Sequence, residues 1–179
     1  RKSQAHIVGP GSTIHTKDGV VLTTDAYYDT KTDKAQLFNR SRLEDSQKVL
    51  EGDSLFYAKD GDSYGYGRVV YIDKKNKNSL VCDKLKYNEK TGEGYATKRA
   101  LLKDFSQSAD TLYAHSDSIR IYTFNINTDS VYRKIHCYNH VSVYRTDVQA
   151  ISDSIVFNSQ DSCIEATSGL LLSDFNVKC

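Results

Sequence analysis

The chain of 179 residues contains no Met, no Trp and a single proline, Pro10. Without Met at position 1 it reads as a processed or trimmed product that begins inside a longer reading frame, so any export signal is expected to lie outside it. The four cysteines, Cys82, Cys137, Cys163 and Cys179, form no CxxC pair, which excludes a zinc ribbon and a thioredoxin-like site. One or two disulfides and buried thiols both stay open. No apolar run approaches the roughly 18 residues of a membrane-spanning helix; the longest aliphatic cluster near the end is Leu170-Leu171-Leu172. Surplus charge is missing as well. With 24 basic and 23 acidic side chains, a formal charge of +1, no field gathers a polyanion, and no nucleic-acid partner is expected.

Catalytic signatures are also lacking. There is no GxSxG elbow, Walker loop or dinucleotide fingerprint, and Gly65-Tyr66-Gly67 is not followed by the helix that phosphate cradling requires. The chain is expected to be no enzyme and to need no cofactor; paired carboxylates for sugar cleavage are the one enzymatic alternative that a single sequence leaves standing. His136 and His140 are the closest histidines. On one strand they would sit about 13 Å apart with Cys137 facing away, too far for joint metal ligation, so no metal site is expected.

What the chain does have is thirteen tyrosines and many β-branched residues, a balance that favours strands, and no convincing run at helical spacing. It also has an internal period. Asp53-Ser54-Leu55-Phe56-Tyr57 recurs as Asp83-Lys84-Leu85-Lys86-Tyr87, Asp117-Ser118-Ile119-Arg120-Ile121 and Asp153-Ser154-Ile155-Val156-Phe157, with a weaker first copy at Thr24-Asp25-Ala26-Tyr27-Tyr28. Turn residues come after each, as in Tyr28-Asp29-Thr30-Lys31-Thr32-Asp33 and Tyr87-Asn88-Glu89-Lys90-Thr91-Gly92. A segment opening on small residues comes next, as in Gly65-Tyr66-Gly67 and Gly92-Glu93-Gly94-Tyr95-Ala96. Each unit therefore reads as strand, turn, strand.

The expected architecture is all-β: about five antiparallel repeats over 22–170, in one domain spanning 1–179, with the termini as caps or linkers. Each repeat Asp is expected to start a strand and bond nearby backbone. By strand parity Asp53, Leu55 and Tyr57 share one face. Stacking the repeats sets Leu55, Leu85, Ile119 and Ile155 in one apolar ladder and Tyr57, Tyr87, Ile121 and Phe157 in a second. Such ladders are the ordinary core of a β-sandwich, or the lining of a groove for acyl chains. Neither end carries a full repeat, so the rims would leave backbone groups open to another chain unless a terminal segment folds over them.

The Gly9-Pro10 start, the Asp-x-aliphatic-x-apolar copies and the Asn88-Glu89-Lys90-Thr91-Gly92 turn together resemble the OstA-like family of periplasmic lipopolysaccharide-transport proteins, over roughly His6 to Ser168. The resemblance rests on repeat grammar and carries no catalytic residue. It implies a jelly roll folded over like a taco shell, a periplasmic location, and an interior that shields the lipid A acyl chains of lipopolysaccharide on the way to the outer membrane. It also implies partners of the same fold joined head to tail: further copies, or domains of inner- and outer-membrane transport proteins. On this reading Leu55, Tyr57, Leu85, Tyr87, Ile119, Ile121, Ile155 and Phe157 line the groove, and Lys98 or Arg99 at its mouth meets lipid A phosphates. The inserts at 103–110 and 123–129 and the four cysteines mark a divergent branch. The alternative is a β-solenoid that binds or cleaves polysaccharide, with an aromatic-studded outer face and a dry, packed interior.

Overall fold

Alternating apolar residues and Asx-rich turns produce a run of long hairpins. A computed structural model describes residues 4–15, 19–58, 61–106, 110–161 and 163–171, and among them there are strands and turns and no helix. The strands are β1 (Gln4–His15), β2 (Val20–Asp29), β3 (Lys34–Glu44), β4 (Lys48–Ala58), β5 (Asp62–Asp73) and β6 (Asn78–Asn88). They continue as β7 (Glu93–Asp104), β8 (Leu112–Phe124), β9 (Tyr132–Arg145), β10 (Val148–Asn158) and β11 (Cys163–Leu171). All eleven pair antiparallel in sequence order in one sheet. Among the described residues each strand's backbone meets only its sequence neighbours, so β1 and β11 are open edges. The all-β expectation holds. The terminal segments within the described residues extend the sheet and do not cap it.

The Asp of each repeat lies in the middle of a strand, which corrects the expectation that it starts one. β4 begins at Lys48, five residues before Asp53, and β8 at Leu112, five before Asp117. Residues ahead of the Asp, such as Leu80-Val81-Cys82, are extended and apolar in their own right and complete the first half of the strand. At the Asp the ladder shifts register in nine of the ten strand pairs, for example between Glu51 and Ser54 and between Val81 and Lys84. Opposite it, the odd-numbered strands carry two successive left-handed residues: Asn39-Arg40, Gly67-Arg68, Lys98-Arg99 and Asn139-His140. Such bulges bend and twist a strand. Repeated in register, they bend the whole sheet along one line.

The bend is anchored on its outer side by charge. Arg68 binds Asp53 at 2.7 Å, Arg99 binds Asp83 at 2.9 Å and His140 binds Asp117 at 2.8 Å. Asp53 therefore faces outward while Leu55 faces in, because the bulge between them breaks the simple alternation that would place them together. Lys98 and Arg99 sit at this outer bend and not at a groove mouth, a second correction. On the inner side of the bend the residues are small and buried: Ser41 beside Gly52, Val69 beside Cys82, Ala100 beside Ser116, Val141 beside Ser152. Their hydroxyls bond carbonyls loosened by the bulge, as from Ser116 to Ser118 at 3.0 Å and from Ser152 to Ser154 at 2.9 Å. Thr23 and Ser41 also bond each other at 2.8 Å.

Complete burial shows that the sheet folds over, with its two halves packed face to face and its edge strands left open. One face of an isolated flat sheet would meet water, yet Val69, Ala114, Ile119, Cys137 and Val141 have no exposed surface. Residues from both halves of the strands join one core cluster, Leu80, Leu102 and Val143 from one side of the bend with Ala96, Ile119 and Ile155 from the other. Tyr71 pairs with Leu80, and a flat strand would put Leu80 about 23 Å from Tyr87. In this fold the Tyr71 and Tyr87 hydroxyls are close enough to feel each other's charge. The two halves thus face one another as two walls, matching the expected folded-over jelly roll. Burial of these walls, worth about 25 cal/mol per Å² of apolar surface, is what closes the fold.

Candidate functional site

The interior between the walls is the candidate site. Strand registers set one row across the whole sheet: Ile7, Ala26, Leu37, Leu55, Gly65, Leu85, Ala96, Ile119, Cys137, Ile155 and Ala166. Every member is apolar. From β4 onward large residues on even strands alternate with small ones on odd strands, so each large side chain leans over a small neighbour. Gly65 shows the need for this: a Cβ there would stand 3.2 Å from Val69 and 3.4 Å from Leu55. A second row, one step farther from the bend, joins Tyr87, Gly94, Ile121, Ile135, Phe157 and Ile164, with Tyr57 beside Ala35 at its other end. The facing wall has its own row, from Ile14 and Val21 through Leu43, Leu50, Tyr71, Leu80, Leu102, Ala114 and Val143 to Ala150.

All eight residues singled out from the repeat thus fall on one wall and in two adjacent rows. Leu55, Ile119 and Ile155 are at most 2 % exposed and form a packed floor near the bend. Leu85, in the floor's own row, and Tyr57, Tyr87, Ile121 and Phe157, in the row toward the free edge of the wall, are half-buried and together form the mouth; of these, Leu85, Ile121 and Phe157 pack against the core cluster. The interior is fully buried at its floor and partly exposed to water at its mouth.

Sequence reasoning missed the facing wall, because its row precedes each repeat Asp and comes after each bulge, outside the motif. It also missed Arg133. Arg133 and Thr123 are direct register partners two residues beyond Ile135 and Ile121, and share their inward face. The Arg133 charge reaches the hydroxyls of both Tyr71 and Tyr87, whose pKa values burial pushes up.

The Cys82 and Cys137 thiols are buried in the core. Burial raises Cys82 to about 11 and Cys137 to about 12, so both stay protonated at neutral pH. Cys82 occupies the bend position that Ser116 and Ser152 fill in later repeats. Cys163 is half-buried on β11, and Cys179 lies outside the described residues. The histidine pair is split by the bulge at Asn139-His140: His136 packs edge-on to Tyr122 on the outer face while His140 binds Asp117. Among the described residues no group of three His, Cys, Asp or Glu side chains is placed to hold a metal.

The outer face of the same wall is ringed with aromatics. Tyr27, Phe38, Phe56 and Tyr66 zigzag across four strands between two adjacent rows, with ring centroids 6.4, 5.8 and 5.9 Å apart. Beside them a shallow concavity of about 340 Å³ is lined by Phe56, Tyr57, Tyr64 and Tyr66 with Lys34 and Asp62.

No protein-family model and no curated protein matches the chain. Among solved structures it is similar to the crystal structure of LptH from Pseudomonas aeruginosa, described as the LptA homologous periplasmic component of the conserved lipopolysaccharide transport device. The likeness covers 82% of this chain and 79% of that one, at 13% identity and a TM-score of 0.35. At that level no residue role is transferred from that protein to this chain.

Proposed function

We propose that the chain is a non-enzymatic carrier of lipopolysaccharide in the periplasm, holding acyl chains between the two walls and passing them toward the outer membrane. The carrying observation is the unbroken apolar row from Ile7 on one open edge to Ala166 on the other. A core that served only stability could end in polar residues at each edge. A row that stays apolar to both edges is continuous with whatever strand pairs there, a second copy or another domain of the same fold. The repeat grammar shared with the OstA-like family points the same way. Acyl methylenes supply the affinity, about 0.8 kcal/mol for each CH₂ removed from water. They enter past Tyr57, Leu85, Tyr87, Ile121 and Phe157, and the floor of Leu55, Ile119 and Ile155 sets the depth.

One observation favours a second reading. The outer ladder of Tyr27, Phe38, Phe56 and Tyr66 is what a polysaccharide-binding face would present. Titration with lipopolysaccharide and with its delipidated polysaccharide separates the two. Saturable binding of the acylated form alone is the result expected of a carrier; equal binding of both moves the site to the outer face, and binding of neither refutes both.

A further inference from the structure

The described arginines have partners, with one exception. Arg40 binds Glu51, Arg42 binds Glu44 and Glu51, Arg68 binds Asp53, Arg99 binds Asp83 and Arg145 binds Asp147. Arg120 lies over the Tyr95 ring, 5.4 Å from its centroid. Arg133 alone among the described arginines has neither a carboxylate within ion-pair distance nor a ring beneath it, although it is half-buried and faces the interior. A half-buried cation without a counter-ion costs stability, and such a cost is retained where the charge serves a ligand. Its cross-strand partner carries a second open valence. Thr123 Oγ1 is buried and finds no hydrogen-bond partner among the described residues, and directly opposed Cβ atoms stand about 5 Å apart.

We infer that Arg133, with Thr123 beside it, is an anion-recognition point at the mouth of the interior that takes the phosphate headgroup of an amphiphile whose acyl chains lie in the apolar rows. A guanidinium offers parallel N–H donors that match a phosphate, and a hydroxyl supplies a third bond to the same group. The position suits an amphiphile: Ile135 and Ile121 lie one step deeper on the same two strands, so a group held by Arg133 sits where its attached chain meets apolar surface. The Arg133 charge reaches the Tyr71 hydroxyl of the facing wall. This inference rests on the carrier reading and adds to it a preference for phosphate.

The test measures binding of lipid A, of the same lipid A with both phosphates removed, and of inorganic phosphate, to the wild-type chain and to Arg133→Gln, Arg133→Lys and Thr123→Val. Arg133→Gln is expected to weaken lipid A binding by about ten-fold or more, to leave the phosphate-free lipid unchanged, and to keep or raise the melting temperature, because no ion pair is lost and an unpaired charge is removed. Arg133→Lys recovers part of the loss, Thr123→Val loses less than Arg133→Gln, and inorganic phosphate alone binds far more weakly than lipid A. Equal loss for both lipids, or equal wild-type affinity for both, overturns the headgroup site and leaves the carrier reading standing. Inorganic phosphate binding as tightly as lipid A overturns the amphiphile assignment. Failure of the wild type to bind either lipid overturns both readings together.

Discussion

Replacing Ile119 by alanine separates the floor of the interior from its mouth. Ile119 has no exposed surface, and its row neighbours Ala96 and Cys137 are already small. Truncation would set three small residues abreast with nothing at hand to collapse into the space, which places the cost in the middle to upper part of the range for a buried aliphatic, about 3–4 kcal/mol. For a domain of this size that is a loss of about 10 °C in melting temperature. Leu85 sits in the same row but is half-buried, so Leu85→Ala loses only part of a leucine's transfer energy, about 1–1.5 kcal/mol. Urea unfolding followed by tyrosine emission measures both, provided the slopes agree with wild type. The functional counterpart is Leu85→Glu, which keeps the fold, because a carboxylate at the mouth reaches water, and abolishes acyl-chain binding. Equal costs for Ile119→Ala and Leu85→Ala, or an unfolded Leu85→Glu, would show that the mouth is as tightly packed as the floor and that no slot exists there.

Gly67 holds φ at +70° in the β5 bulge, and a Cβ there would stand 2.5 Å from the Asp53 carboxylate; Gly67→Ala is expected to cost at least about 1–2 kcal/mol in urea unfolding. Cys82 and Cys137 should react with an aromatic disulfide reagent at pH 8 only after urea is added, and prompt reaction in the native state would contradict their burial. The raised pKa values of Cys82 and Cys137 also fix a sign. Unfolded thiols lose their protons from about pH 8.5 while the folded ones keep theirs to about 11 and about 12, so the unfolded chain binds fewer protons and stability falls as pH rises above about 8.5; urea midpoints between about pH 7 and 10 check this. Proton NMR should find His140 titrating above the ordinary histidine value, because Asp117 beside it favours the charged form, and His136 below it, because burial disfavours that form; Asp117→Asn should bring His140 down.

The repeat makes one wall readable. A motif of Asp-x-aliphatic-x-apolar fixes parity beyond the Asp, and Leu55, Leu85, Ile119 and Ile155 fall into register because nothing interrupts the strand after that point. Parity fails across the Asp itself, where the bulge adds a residue and flips the faces, so simple alternation sets Asp53 beside Leu55 and begins the strand five residues late. The bend leaves its own trace in the sequence: Asn39-Arg40-Ser41, Gly67-Arg68-Val69, Lys98-Arg99-Ala100 and Asn139-His140-Val141 each join a basic residue to a small or β-branched one. That pattern is hard to see alone, because lysines and arginines on strands are common and only the partner Asp gives these a role. Arg133 is invisible for another reason. Its distinction is the lack of a partner, which a sequence does not show.

Among the described residues the two walls meet only through side chains. Among the described residues, backbone hydrogen bonds run along the sheet from strand to neighbour and none crosses the interior, so parting the walls at the mouth breaks apolar contacts and leaves the ladder intact. An acyl chain placed between them replaces wall-to-wall contact with wall-to-methylene contact of the same kind, and the net cost of opening is small compared with exposing either wall to water. The bend supports this. Its Asp and basic pairs lie on the outside and its hydroxyl bonds run within single strands or between neighbours, as from Ser152 to Thr167 at 2.9 Å, so the hinge line is tied independently of what fills the mouth. A fold that keeps its hydrogen bonds on one axis and its adjustable apolar contacts on the other can vary its contents without unfolding, as the proposed carriage of acyl chains requires.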